Sequence, residues 1–109
     1  MYNYPEVNHY GTRNANGIAF MLTRLAKVDP SMVNEKAISG AAITSLKKLA
    51  LKLVLSLPLF KPTITDNGVE TFQTWYNDLA ESNNLKSIRV TGVWDEATEA
   101  AFNSIVGNV

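Results

Sequence analysis

Seven carboxylates fall in the second half of the chain: Asp66, Glu70, Asp78, Glu81, Asp95, Glu96 and Glu99. Hydrolytic chemistry would have to be built from them. Two acids facing each other across a glycosidic bond suffice for a glycosidase, one donating a proton while the other attacks or activates water. The spacing sets these seven at helix starts and on polar helix faces, where capping and solvation account for them. His9 is the single histidine and sits near the N-terminus, so a Ser-His pair would have to recruit it from there. One histidine also rules out a histidine-rich metal site. The absence of cysteine removes disulfides, thiolate zinc sites and a cysteine nucleophile. Gly17, Gly40, Gly68 and Gly92 stand singly, so none opens a phosphate-cradling loop. The expectation is a chain that is not an enzyme and uses no cofactor and no metal.

Recognition is the chemistry that remains. Trp75, Tyr76 and Trp94 carry flat faces of the kind that stack on sugars, and Arg89 joins them as a candidate ligand-binding residue. Each aromatic has a competing role in the core. Trp75 lies at the margin of an apolar helix face, partly available as a glycan platform. Trp94 reads as the plug of a glycine-bent corner, and full burial of its ring is worth roughly 2–3 kcal/mol.

The elements that must position these residues read as four short helices. Ile18, Met21, Leu22 and Leu25 set a helix over 18–27, with Asn16 as its cap and Asp29-Pro30 as its end. Residues 42–57 give two signals. Leucine recurs at every odd position from Leu49 to Leu59, as in a strand, yet Leu, Lys and Ala are helix formers and β-branched residues are scarce. Helix is preferred, stopped by Pro58. Its broad apolar face makes it the expected central helix, while Leu51 and Leu55, standing out beside Lys47 and Lys48, are the candidate partner face. Val69, Phe72, Tyr76, Leu79 and Ala80 set a helix over 69–81, with Asn67 and Glu70 imitating a capping box. The last helix starts at Asp95, its cap, and packs Ala97, Ala101 and Ile105 inward.

This pattern divides the chain into a tyrosine-bearing N-terminal arm, residues 1–14 with Tyr2, Tyr4 and Tyr10, and one compact helical domain, residues 15–109. Within the domain Asn16-Gly17 is answered by Asn67-Gly68, and Gly40 by Gly92. These matches are read as a degenerate tandem of repeats over 16–57 and 67–106. A length of 109 residues with 46% hydrophobic and 18% charged residues suits one such folded unit. Net charge is zero but unevenly spread. Residues 1–61 hold eight cations against three acids, and residues 62–109 hold two against seven. The two halves should attract, within one chain or between neighbours, which allows a homo-oligomer or larger assembly. A nucleic-acid face would bring more arginine and an overall positive balance, so none is expected. No apolar run approaches the roughly 20 residues that span a bilayer. MYNYPEVNHY lacks the basic and apolar regions of a secretory signal.

The stretch VETFQTWYNDL, followed after a gap by VTGVWDEATEAAF, is similar to the peptidoglycan-binding-like domain. That family is a three-helix module of cell-wall hydrolases and of phage lytic and virion proteins. Val69, Phe72 and Gln73 match its first helix; Gly92, Trp94, Thr98, Ala101 and Phe102 match its loop and second helix. Thr91 replaces the family's usual aspartate, and Asp95 stands where its second glycine is commonest. The match covers about a third of the chain, and the upstream half keeps only a trace of the pattern. The resemblance implies an all-α fold and a non-catalytic anchor for bacterial cell-wall glycopeptide; without a recognisable export signal, the expected setting is a phage particle or the cytoplasm of a bacterial host. The competing class is a structural protein, such as a virion component, that uses the same scaffold to bind proteins.

Overall fold

The computed structural model describes residues 6–58 and 63–107, with side chains from residue 12 onward. Among these residues the protein is an all-α bundle of four helices and one 3-10 turn, without a strand. Tyr2, Tyr4 and Leu59 lie outside the described residues, and so do the side chains of His9 and Tyr10.

Helix α1 runs over Glu6–Val28, twelve residues earlier than the apolar stripe alone predicts. Residues 6–14 of the expected arm are therefore its first turns, and Asn16 is an exposed interior residue rather than a cap. Local propensity misleads here because glycine inside a helix costs about 1 kcal/mol relative to alanine. Gly17 is retained for a tertiary reason: a Cβ there would overlap Cγ and Cδ2 of Trp94. The C-terminal end follows expectation. Asp29 turns extended before Pro30, and its carboxylate accepts from the Ser31 N–H at 3.2 Å, opening the 3-10 turn Pro30–Asn34.

Helix α2 covers Gly40–Lys52 and stops five residues before the expected end. Pro58 plays no part in this stop. The Leu55 N–H closes onto the Ala50 carbonyl at 3.1 Å and the Val54 N–H onto Leu51 at 2.9 Å, which is a Schellman motif. The motif needs a left-handed residue after the cap, and Val54 supplies it at φ 60°. A β-branched residue there costs about 1–2 kcal/mol relative to glycine. Helix α3, Gly68–Ser82, ends in the same way with a more suitable residue: Asn84 sits at φ 56°, and the Leu85 N–H reaches the Ala80 carbonyl at 2.8 Å. The two ends are tied side by side, because the Asn83 amide donates to the Ser56 carbonyl and accepts the Ser56 N–H, both at 2.8 Å.

Helix α4, Glu96–Val106, is capped by Asp95 as expected. Ala101 and Ile105 face inward, but Ala97 is exposed. One core cluster gathers Phe72, Trp75, Tyr76 and Leu79 of α3 with Met21 and Leu25 of α1, Ile43 and Leu46 of α2 and Phe102 of α4. Helix α2 buries one face only and is not the central helix; α1 packs on each of the other three. The glycines that suggested a tandem are not equivalent. Gly17 lies inside α1, whereas Gly68 is the first residue of α3.

Candidate functional site

The glycine-bent corner between α3 and α4 positions everything around it. Asn67 starts α3 by accepting the N–H groups of Val69 and Glu70, both at 3.1 Å. From one turn further along, the fully buried Gln73 reaches into the corner: its Oε1 accepts the Gly92 N–H at 2.9 Å. Its Nε2 donates to Thr98 Oγ1 at 2.8 Å, with Thr91 Oγ1 and the Val93 carbonyl at 3.2 Å. Gly92 adopts φ 71°, which glycine enters without a Cβ clash. Its carbonyl accepts from both Asn67 and Asn14 side chains, at 2.9 and 2.8 Å. Asn14 also accepts the Trp94 N–H at 2.9 Å, so α1 clamps a corner some eighty residues away. No side-chain nitrogen or oxygen of this knot is buried without a partner, and such networks rigidify the backbone they join.

On this base the corner closes with Trp94, 7% exposed, its ring against Phe20 and Phe102 at centroid distances of 5.8 and 6.3 Å. The Trp94 indole donates to Glu99 at 3.2 Å. Asp95 caps α4 by accepting the Thr98 N–H at 2.9 Å and the Thr98 hydroxyl at 2.6 Å. Burial raises the Asp95 pKa, but the hydrogen bonds from Thr98 and Thr91 outweigh it and hold the carboxyl below its ordinary value.

The proposed aromatic platform does not form. Trp75 is 1% exposed and packs 6.1 Å from Phe72, so no ring face is offered to a sugar. The margin of an apolar helix face is solvent only if no neighbour covers it, and here the bundle does. The Trp75 indole N–H is buried without a partner among the described residues. This omission costs about 1–3 kcal/mol against the burial of the ring.

Tyr76 and Arg89 do come together. They line one open cleft of about 440 Å³ with Lys86, over a floor that includes Ala97, Ala101 and Ser104 of α4. The wall carrying both cations is held in place by Asn77, which donates to the Ile88 carbonyl at 2.7 Å and accepts the Ile88 N–H at 2.8 Å. A side-chain amide thus pairs with backbone as a strand neighbour would, and keeps Lys86 and Arg89 beside α4. Trp94 belongs to a separate hollow of about 270 Å³ with Arg13, Phe20 and Glu99. Sequence reasoning missed Asn14, Asn77 and Lys86. Polar residues at those places have no signature until their long-range partners are known.

On the candidate partner face, Leu51 is 56% exposed and Lys48 is exposed, while Leu55 turns inward and packs against the core. Lys47 is half-buried. Among the described residues no group of three or more histidine or acidic side chains is placed to hold a metal ion, and no helix is long and apolar enough to cross a membrane. Comparison of the chain with models of protein families, with curated proteins and with solved structures finds no match.

Proposed function

We propose that this chain is a non-catalytic recognition module whose α3–α4 cleft takes up an anionic glycopeptide of the bacterial cell wall. The observation that carries this reading is the convergence of Lys86 and Arg89 at a cleft floored by alanine and serine. Two cations beside small side chains suit a peptide that itself carries small side chains and free carboxylates, and arginine binds a carboxylate through two parallel N–H groups. The resemblance of residues 69–105 to the peptidoglycan-binding-like domain points to the same ligand class, with the glycan held by the cleft rather than by a tryptophan platform. The buried Gln73 network suits such a role, because a site on rigid supports loses less freedom on binding.

Co-sedimentation with purified sacculi tests the reading. The wild-type protein is expected in the pellet, and Arg89→Ala combined with Lys86→Ala is expected to weaken retention about tenfold or more, the worth of a charge-assisted hydrogen bond. A wild-type protein that stays in the supernatant, or a double variant that pellets equally well, overturns it.

A further inference from the structure

The end of α2 has an outline that neither the core nor the cleft explains. Val54 is 91% exposed, Leu53 48% and Leu51 56%, so three apolar side chains project outward at a helix terminus. Val54 does so from a left-handed backbone at φ 60°, where the equivalent residue of α3 is Asn84. The left-handed turn serves the fold by ending α2, but an exposed valine in it adds strain that glycine or asparagine would avoid, and strain of this kind motivates a search for a functional contact. Around this tip cations predominate, although Asp29 shares a hollow with Lys48 and Lys52. Lys47, Lys48 and Lys52 flank Leu51 within about 140° of arc on the outer side of the helix, by the 3.6-residue period. From Lys36 to Thr65 the chain holds five lysines and no acid. The neighbouring end of α3 contributes Leu85, 44% exposed, and one carboxylate, Glu81, which the lysines of α2 outnumber.

We infer that this tip docks on an anionic lipid surface, with Leu51, Leu53 and Val54 entering the headgroup boundary and Lys47, Lys48 and Lys52 lying against lipid phosphates. The shape decides between partners. A protein would have to supply a concave apolar pocket rimmed with carboxylates. A bilayer meets a convex apolar tip anywhere on its surface, and cationic stems extend along the boundary to reach its phosphates. The tip is separate from the cleft of Tyr76 and Arg89, so the inference does not depend on the cell-wall reading.

Flotation with vesicles of phosphatidylcholine, with and without phosphatidylglycerol, tests it. Binding is expected to the anionic vesicles alone and to fall as salt is raised. Replacing Lys47, Lys48 and Lys52 by glutamine is expected to weaken binding about fivefold for each lysine. Val54→Gly separates docking from folding. It relieves the left-handed strain, so its melting temperature should rise, while its vesicle binding should fall about tenfold with the loss of the apolar tip. Equal binding to neutral vesicles overturns the inference, as does wild-type affinity in the glycine variant. Absence of binding to either vesicle overturns it as well, and leaves the tip to a protein surface.

Discussion

Gly17 shows how a residue can be unfavourable locally and required globally. Inside a helix alanine is better than glycine by about 1 kcal/mol, and α1 forgoes that gain because the Trp94 ring occupies the space of a Cβ. Gly17→Ala is expected to lower stability by about 1–3 kcal/mol through overpacking, and to loosen the corner that Asn14 clamps. Gly40→Ala is the control. Nothing lies within 4 Å of a Cβ there, and the residue begins α2, so the substitution should be neutral or stabilise by up to about 1 kcal/mol. Denaturant midpoints of the two variants measure the contrast. Equal effects would mean that Trp94 does not rest on Gly17. Gln73 belongs to the same scale: its role as the knot of the corner depends on Gly92 and Thr98 being folded over it.

At the scale of elements, the helix ends divide into those written in local chemistry and those written in contacts. Asp29-Pro30, Asn67 and Asp95 are local signals, and all three act where the sequence puts them. The end of α2 is not such a signal, because a Schellman turn through valine has no local advantage. Its shared pattern with α3, Leu49-Ala50 to Leu55 and Leu79-Ala80 to Leu85, was the available clue. Asp95 gives this scale a pH dependence. Its folded pKa lies below the ordinary 3.8, so the carboxylate contributes stability that is fully present above that value and lost as pH falls through it toward the folded pKa. Asp95→Asn keeps an acceptor for the cap but has no proton to take up. The acid limb of its stability curve, measured by thermal melts at successive pH values, should therefore be flatter than that of the wild type.

The whole molecule resolves the charge division by interleaving its halves. Helix α1 of the cationic half packs on α3 and α4, and α2 packs on α4, so helices of opposite net charge share one body. The radius of gyration, 13.4 Å, is that of a chain of this length folded on itself. Light scattering at low salt should accordingly show a monomer whose mass does not grow with concentration. Raising the salt shortens the Debye length from about 10 Å at 0.1 M to about 3 Å at 1 M, and should lower the melting temperature by screening that attraction. A mass that rises with concentration at low salt and falls when salt is added would place the attraction between molecules instead.

The sequence by itself determined the all-α class, the helix end at Asp29-Pro30, the caps at Asn67 and Asp95, the inward stripe of α1 and the burial of Trp94. These follow from φ preferences, side-chain acceptors near free N–H groups and apolar periodicity, all of which act within a turn or two of chain. Tertiary structure alone decided that Trp75 is covered, that α1 rather than α2 packs on every other helix, that Asn14 and Gln73 tie the corner, and that Tyr76 and Arg89 share a cleft. Those outcomes depend on which surfaces are brought together by segments far apart in the chain. Burial and long-range hydrogen bonds are properties of that meeting, and no local window contains them.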